Sequence, residues 1–205
     1  TTPEGDRVYL AGYFSALQGD STKGFFAGVD STNGDAIPGH QPFVPSGGSN
    51  AKYQQSVIVH GDHVFVGGSE HNIQKYTLDT NALVGNHVTK QGGDTQAYTI
   101  FDGDLYAACH CADAVYIDTN EWRTPSGMLR TDSINLAGAF DIESFDYKRE
   151  WNPRSLKGQY GEGPWGFDEA DGCLWMVGDF NRSGWSGDEA QDWLGGFARF
   201  CPEDN

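Results

Sequence analysis

The sequence predicts an all-β fold, a small or partial β-propeller of about four to five blades of antiparallel strands, and three observations lead there. The first is a phrase written four times: a Gly/Asp turn, a strand with an aromatic at its centre, then small residues. It reads Gly5-Asp6-Arg7-Val8-Tyr9-Leu10-Ala11-Gly12, Gly61-Asp62-His63-Val64-Phe65-Val66-Gly67-Gly68, Gly103-Asp104-Leu105-Tyr106-Ala107-Ala108-Cys109 and Gly172-Cys173-Leu174-Trp175-Met176-Val177-Gly178. The central aromatics at 9, 65, 106 and 175 are spaced 56, 41 and 69 residues apart. A repeat of roughly 40 residues carrying several short strands marks propeller blades. The second observation is composition: 28 glycines in 205 residues with 13% aromatics suits short strands joined by tight turns, where Gly supplies positive φ. The third is the lack of any stretch with apolar residues at i, i+3, i+4, i+7 over three turns.

Taken in order, residues 8–14 alternate as a strand, and 24–30 form its partner across the loop 15–23. Asp30-Ser31-Thr32-Asn33-Gly34-Asp35 then reads as a turn, with Asn-Gly the strongest hairpin cue. Residues 36–52, rich in Pro, Gly and Ser, read as a surface excursion between blades. Strands resume at 55–60, 64–68 and 73–78, closed by the turn Asp79-Thr80-Asn81. A third set follows at 96–101, 105–109 and 114–117, closed by Asp118-Thr119-Asn120. Residues 134–143 form a further strand-pair candidate that leaves room for a fifth blade. The last blade runs through 165–168, 174–178 and 195–200, with Gly195-Gly196-Phe197 onward able to return toward the N-terminus and close a ring. Its long insertion, 181–192, is acidic. The whole chain reads as a single domain, 1–205. It opens Thr1-Thr2-Pro3 without an initiator Met, as expected of a piece processed or excised from a longer secreted protein with neighbouring domains.

Val-Tyr-Leu-Ala-Gly-Tyr-Phe at 8–14, Val-Phe-Val-Gly-Gly at 64–68 and Trp-Met-Val-Gly-Asp-Phe at 175–180 resemble the "vYvGGdF" strand of delta-60-type β-propeller repeats. Phe-Phe-Ala-Gly-Val-Asp-Ser-Thr-Asn-Gly at 25–34 resembles the strand and turn that follow it in that family. These repeats occur in large secreted bacterial surface proteins. The resemblance implies a propeller and an extracellular setting, and it transfers no catalytic residue.

With 29 acidic against 13 basic residues the formal charge is −16, a surface that repels phosphate backbones and argues against nucleic-acid binding. No apolar run reaches the 18 residues or so that a membrane span needs. Acidity serves solubility first, and clustered carboxylates also suit calcium. Asp179, Asn181 and Asp188 are the candidate ligands, since Asp-x-Asn sets oxygens on one side of a tight loop. Four cysteines, Cys109, Cys111, Cys173 and Cys201, fit an oxidising compartment and a secreted or cell-surface location. On a strand Cys109 and Cys111 project to the same face. A Cys109–Cys111 disulfide, a zinc site short of two ligands and cross-pairing to the other two are the alternatives. The pairing Cys173–Cys201 is preferred because both lie in the last blade on strands that can be neighbours, which leaves Cys109 with Cys111.

No Gly-x-Ser-x-Gly elbow is present, and the acid pair of a glycosidase cannot be picked from 29 carboxylates by sequence. Trp175 and Trp165 read as packed side chains. Trp185 and Trp193 stand in the polar insertion beside Asp188, Glu189 and Asp192, where indoles can stack on sugar faces while carboxylates accept hydroxyl donors; packing between blades is the alternative. Trp185, Trp193, Asp188 and Asp192 are therefore the candidate ligand-binding residues. The expected function is a non-enzymatic extracellular binding or scaffold module for glycan or a surface protein. The alternative is a secreted glycosidase or lyase on a propeller scaffold.

Overall fold

The computed structural model describes residues 1–2, 4–46, 52–90, 92–119, 130–153, 156–158, 163–183 and 192–202. They form an all-β chain with one short 3-10 turn, Ser21–Lys23. Four antiparallel units follow one another. The first pairs β1 (Arg7–Ala11) with β2 (Phe26–Asp30). The second is a meander of β3 (Gln54–His60), β4 (His63–Gly68), β5 (Asn72–Thr77) and β6 (Leu83–Thr89). The third sets β8 (Asp104–Tyr116) between β7 (Gly92–Phe101) and β9 (Thr131–Asp141). In the fourth, after the short β10 (Lys157–Gly158), β12 (Cys173–Gly178) lies between β11 (Pro164–Ala170) and β15 (Phe197–Phe200). Beside it β13 (Phe180–Ser183) joins β10 and β14 (Asp192–Trp193) in a small sheet.

The turns explain why these strands pair in this register. At the head of each central strand of the last three units stands a two-residue loop. Asp102-Gly103 and Asp171-Gly172 hold positive φ at both positions, and Gly61-Asp62 at Gly61 alone, as I′ and II′ hairpins require. After the next strand comes a second, recurrent turn. Residue i accepts from the N–H of i+4, and its own N–H donates to the carbonyl of i+5, at Asp30/Gly34/Asp35, Thr77/Asn81/Ala82 and Asp141/Phe145/Asp146. The left-handed i+4 position is taken by Gly34 (φ 76°), Asn81 (φ 56°) and Phe145 (φ 64°). Asp30 and Asp141 further accept from Thr32 N–H and Ser144 N–H. Single bridges, Val29 to Ala36 and Phe140 to Tyr147, stand where the second unit has all of β6.

Five expectations are corrected here. Residues 105–109 and 114–117 are one strand, β8, which bends through a register shift between Ala108 and Ala112 and reaches β6 through Val88–Tyr116 and Thr89–Val115. The third recurrent turn is therefore 141–146 rather than Asp118-Thr119-Asn120, whose last residue lies outside the described residues. Residues 134–141 belong to β9 of the third unit and 142–143 to the turn after it, so this segment opens no fifth unit. Among the described residues β15 pairs with β12 and makes no return to β1. The excursion from residue 36 is also no surface loop throughout: Phe43 is buried, and the Val44 carbonyl accepts from Gln74 Nε2.

Side-chain alternation decides how the units pack. On β4, Val64 and Val66 join Tyr9, Phe26 and Tyr76 in a core against the first unit. Phe65 points the other way, into a core with Leu105, Ala107 and Phe140 of the third unit. On β8, Tyr106 turns to Leu174 of the fourth unit, and Met176 meets Ala137 of β9. The central aromatics Tyr9, Phe65 and Tyr106 thus face the following unit, and the aliphatic pairs beside Phe65, Tyr106 and Trp175 face the preceding one. The cores lie between units, the second and third of which are halves of one seven-stranded sheet folded over on itself at the β6–β8 pairing, and strands buried on both faces pack in this way.

Candidate functional site

Successive units are also joined by polar contacts onto the recurrent turns. The Leu78 carbonyl accepts from Arg7 Nη1 at 2.7 Å, Tyr9 Oη at 3.0 Å and His40 Nε2 at 3.1 Å. One unit on, Lys75 Nζ donates to the Ile142 and Glu143 carbonyls at 3.1 and 2.6 Å, and His87 Nε2 donates to the Phe145 carbonyl at 2.8 Å. His40, His87 and Trp151 each stand ten residues after the first residue of a recurrent turn. His40 and Trp151 pack on the central aromatics of their own units, Tyr9 and Tyr106. His87 is fully buried. Its Nδ1 accepts from the Asp118 N–H, so both ring nitrogens are satisfied by a neutral imidazole, and burial holds its pKa below the ordinary histidine range.

One carboxylate is enclosed as well. Glu70 is fully buried, and its Oε2 accepts weakly from Ser46 N–H at 3.4 Å and Gln54 Nε2 at 3.5 Å. Its Oε1 and the Ser46 hydroxyl are buried without a partner among the described residues. Burial pushes the carboxyl up to about 7. Around it Asn72 Nδ2 donates to Gln54 and Gln74, and the Tyr76 hydroxyl donates to Gln74. This network braces the second unit.

An open cleft of about 630 Å³ lies at the edge between the first two units. Glu4, Asp6, Asp62 and Asp79 line it with Arg7 and His63. Asp79 is held below the usual carboxylate range by hydrogen bonds from the Thr77 and Thr80 hydroxyls and the Thr80 N–H. Burial, then the nearby Lys75 charge, lowers His63.

The four cysteines are paired as expected, Cys109 with Cys111 and Cys173 with Cys201. The first pair sits in the core between the second and third units, and the second ties the start of β12 to the residue after β15. No group of three or more His, Cys, Asp or Glu able to hold a metal forms among the described residues. Of the calcium candidates, Asp179 and Asn181 flank Phe180 at the start of β13, and the Asn181 carbonyl accepts from Leu194 N–H; Asp188 lies outside the described residues.

Of the ligand-binding candidates, Trp185 and Asp188 lie outside the described residues. Asp192 opens β14, paired with Ser183. Trp193 is 68% exposed. Two tryptophans depart from their expected packing. Trp165 is 51% exposed with its edge on His110, because the register shift between Pro164 and Gly166 takes it out of the alternation. Trp175 is half-buried on the outer face of the fourth unit with Arg199 over its ring, since its strand position aims it away from the third unit.

No family model matches the sequence, and no curated protein matches it. Solved structures superpose loosely. The computationally designed Ika8 protein aligns over 88% of this chain and 54% of its own, with 10% identity and a TM-score of 0.37. The designed Ika4 protein aligns over 67% and 91%, with 12% identity and a TM-score of 0.33. BamB from Moraxella catarrhalis aligns over 75% and 64%, with 12% identity and a TM-score of 0.35. The chain spans about half the length of the Ika8 protein. The description of this chain rests on its own strand pairing. No helix is long and apolar enough to cross a membrane among the described residues.

Proposed function

We propose that this chain is a non-catalytic binding module of an extracellular protein, a small propeller-type stack of delta-60 kind that takes glycan at the Trp193 end of its fourth unit. The observation that carries the reading is the 68% exposure of Trp193 on a strand paired with Arg182. An indole left open on a rigid sheet offers a flat apolar face to a sugar ring, and neighbouring polar side chains orient its hydroxyls. The acidic insertion of residues 184–191 supplies such groups by sequence. Two disulfide pairs support an oxidising compartment. The repeated strand, the recurrent turn and the ring ten residues beyond it support the propeller kinship.

Retention on immobilised polysaccharides, with assay of released reducing ends, tests the reading. Retention without release is expected, and Trp193→Ala should weaken it by about 1 to 3 kcal/mol, the range for an aromatic anchor, with the thermal midpoint unchanged. Release of reducing ends would establish a glycosidase or lyase instead. A Trp193→Ala chain that binds unaltered would remove Trp193 from the site.

A further inference from the structure

Three hairpins carry the same irregularity where the repeated phrase ends, opposite Gly68, Cys109 and Gly178. One extra residue enters between Gln54 and Ser56, between Thr95 and Ala97, and between Pro164 and Gly166. Gln54, Thr95 and Pro164, just before it, are buried. The extra residues are Gln55, Gln96 and Trp165, and a bulge of this kind re-aims its side chain. Glutamine fills the position twice, so the fold does not require an indole there, yet the third hairpin places one at 51% exposure. Trp165 does not stand alone. Its ring meets that of His110 at 4.7 Å between centroids and 81° between planes. On β7 and β8, the pairing of Gly92 with Cys111 and of Thr95 with Cys109 sets Gly93 and Asp94 opposite His110. Asp94 Oδ2 in turn accepts from the Tyr53 hydroxyl and from Gln55 Nε2, both at 3.1 Å. A row of wholly or partly exposed side chains thus crosses two joints inside the chain: Tyr53 and Gln55 of the second unit, Asp94 and His110 of the third, Trp165 of the fourth. His110 Nε2 is enclosed, which leaves Asp94 and Gln55 as the polar groups turned to a ligand beside the indole.

We infer that this row is a second carbohydrate site, which takes a neutral glycan chain with one sugar ring stacked on Trp165 and hydroxyls of the chain bonded by Asp94 and Gln55. An indole face with hydrogen-bonding groups alongside matches a sugar, whose ring is apolar on its faces and polar at its rim. Tyr53 and Gln55 hold the Asp94 carboxylate through Oδ2, and Oδ1, without a partner among the described residues, is left to accept from a hydroxyl. The row contains a carboxylate and no Lys or Arg, on a chain of net charge −16, so uronate and sulfate polymers are repelled. The inference shares its ligand class with the Trp193 reading but none of its residues.

Native affinity electrophoresis of the full chain in gels holding hydroxyethylcellulose or a galactomannan tests this, with polygalacturonate as the anionic control. Retardation by at least one neutral polymer and none by polygalacturonate is expected. Trp165→Gln installs the residue that the same bulge holds in the two earlier hairpins, so the fold is kept, and it should weaken retention about tenfold. Asp94→Ala should weaken it by about three- to tenfold, as the loss of a hydrogen bond does. Circular dichroism with intact disulfides checks that each variant is folded. Retardation by neither neutral polymer overturns the inference, as does a Trp165→Gln chain retained like the wild type. Retention on polygalacturonate as strong as on the neutral polymers overturns the assignment to neutral glycan. Trp193→Ala separates the two sites. Retention that falls with Trp193→Ala and not with Trp165→Gln removes this site and leaves the Trp193 reading, and the reverse pattern removes the Trp193 reading and leaves this site.

Discussion

Glu70 shows what one enclosed side chain does to the whole molecule. Water can solvate its carboxylate in the unfolded chain and cannot in the folded one, so the folded pKa rises to about 7 from an ordinary value near 4.3. Between those values the native state holds a proton that the unfolded state has released, and stability falls as pH rises. The contribution is fully present below about pH 4 and is lost by the time pH passes about 7. Glu70→Gln keeps the shape and removes the charge. It is expected to flatten this slope and to stabilise the fold at pH 8 by at most about 3 to 4 kcal/mol, read from urea midpoints at pH 5 and pH 8. An unchanged slope would place the titration elsewhere. Trp175 makes a second point at this scale: its place in the repeat is that of Phe65 and Tyr106, yet it remains half open, because burial depends on what faces a residue and not only on its own hydropathy.

At the scale of the element, the recurrent turn organises the chain. Its i+4 residue must hold a left-handed backbone, which Gly34 and Asn81 do at little cost, whereas Phe145 pays about 1 to 2 kcal/mol and recovers it by burying its ring against Phe65, His87 and Phe140. That ring explains a glycine on the neighbouring strand. A Cβ at Gly85 would stand 2.5 Å from Phe145 Cδ1. Gly85→Ala is therefore expected to destabilise by about 1 to 3 kcal/mol, the range for overpacking, even though alanine normally suits a strand better than glycine. Restoring the midpoint with Phe145→Leu in the Gly85→Ala background would confirm the clash; a neutral single variant would refute it. Only part of this turn is legible in the sequence. Asp30–Gly34 announces itself by Asn-Gly, but Asp141–Asp146 has no glycine or asparagine at the strained position, and so Asp118-Thr119-Asn120 is the more natural reading.

For the whole molecule, stability rests on cores between units, closed at the end of the chain by the Cys173–Cys201 bond. That bond spans 28 residues, and a loop of this size is worth about 3 to 4 kcal/mol in the chain-entropy account, whose mechanism is model-dependent. Reduction should lower the midpoint of the fourth unit first, since Cys109 and Cys111 are buried between the second and third units. Alkylation without reductant should modify no cysteine, and trapping with gentle reductant followed by peptide mapping should label Cys173 and Cys201 ahead of Cys109 and Cys111. Labelling in the opposite order would show that the inner pair is the accessible one.

The sequence by itself determined the all-β class and most of the strands and favoured the cysteine pairing that the structure holds, since alternation and turn residues are local signals that each strand carries within its own few residues. It also singled out the Trp193 insertion, because an aromatic in a polar, acidic stretch stands out from its neighbours. Which face of each strand meets which unit, the docking of His40 and His87 on the next unit's turn carbonyls, the enclosure of Glu70 and the opening of Trp165, Trp175 and Phe197 were decided only by the tertiary structure. All of these depend on partners tens of residues away, and a period of two says that a strand has two faces without saying what lies against either.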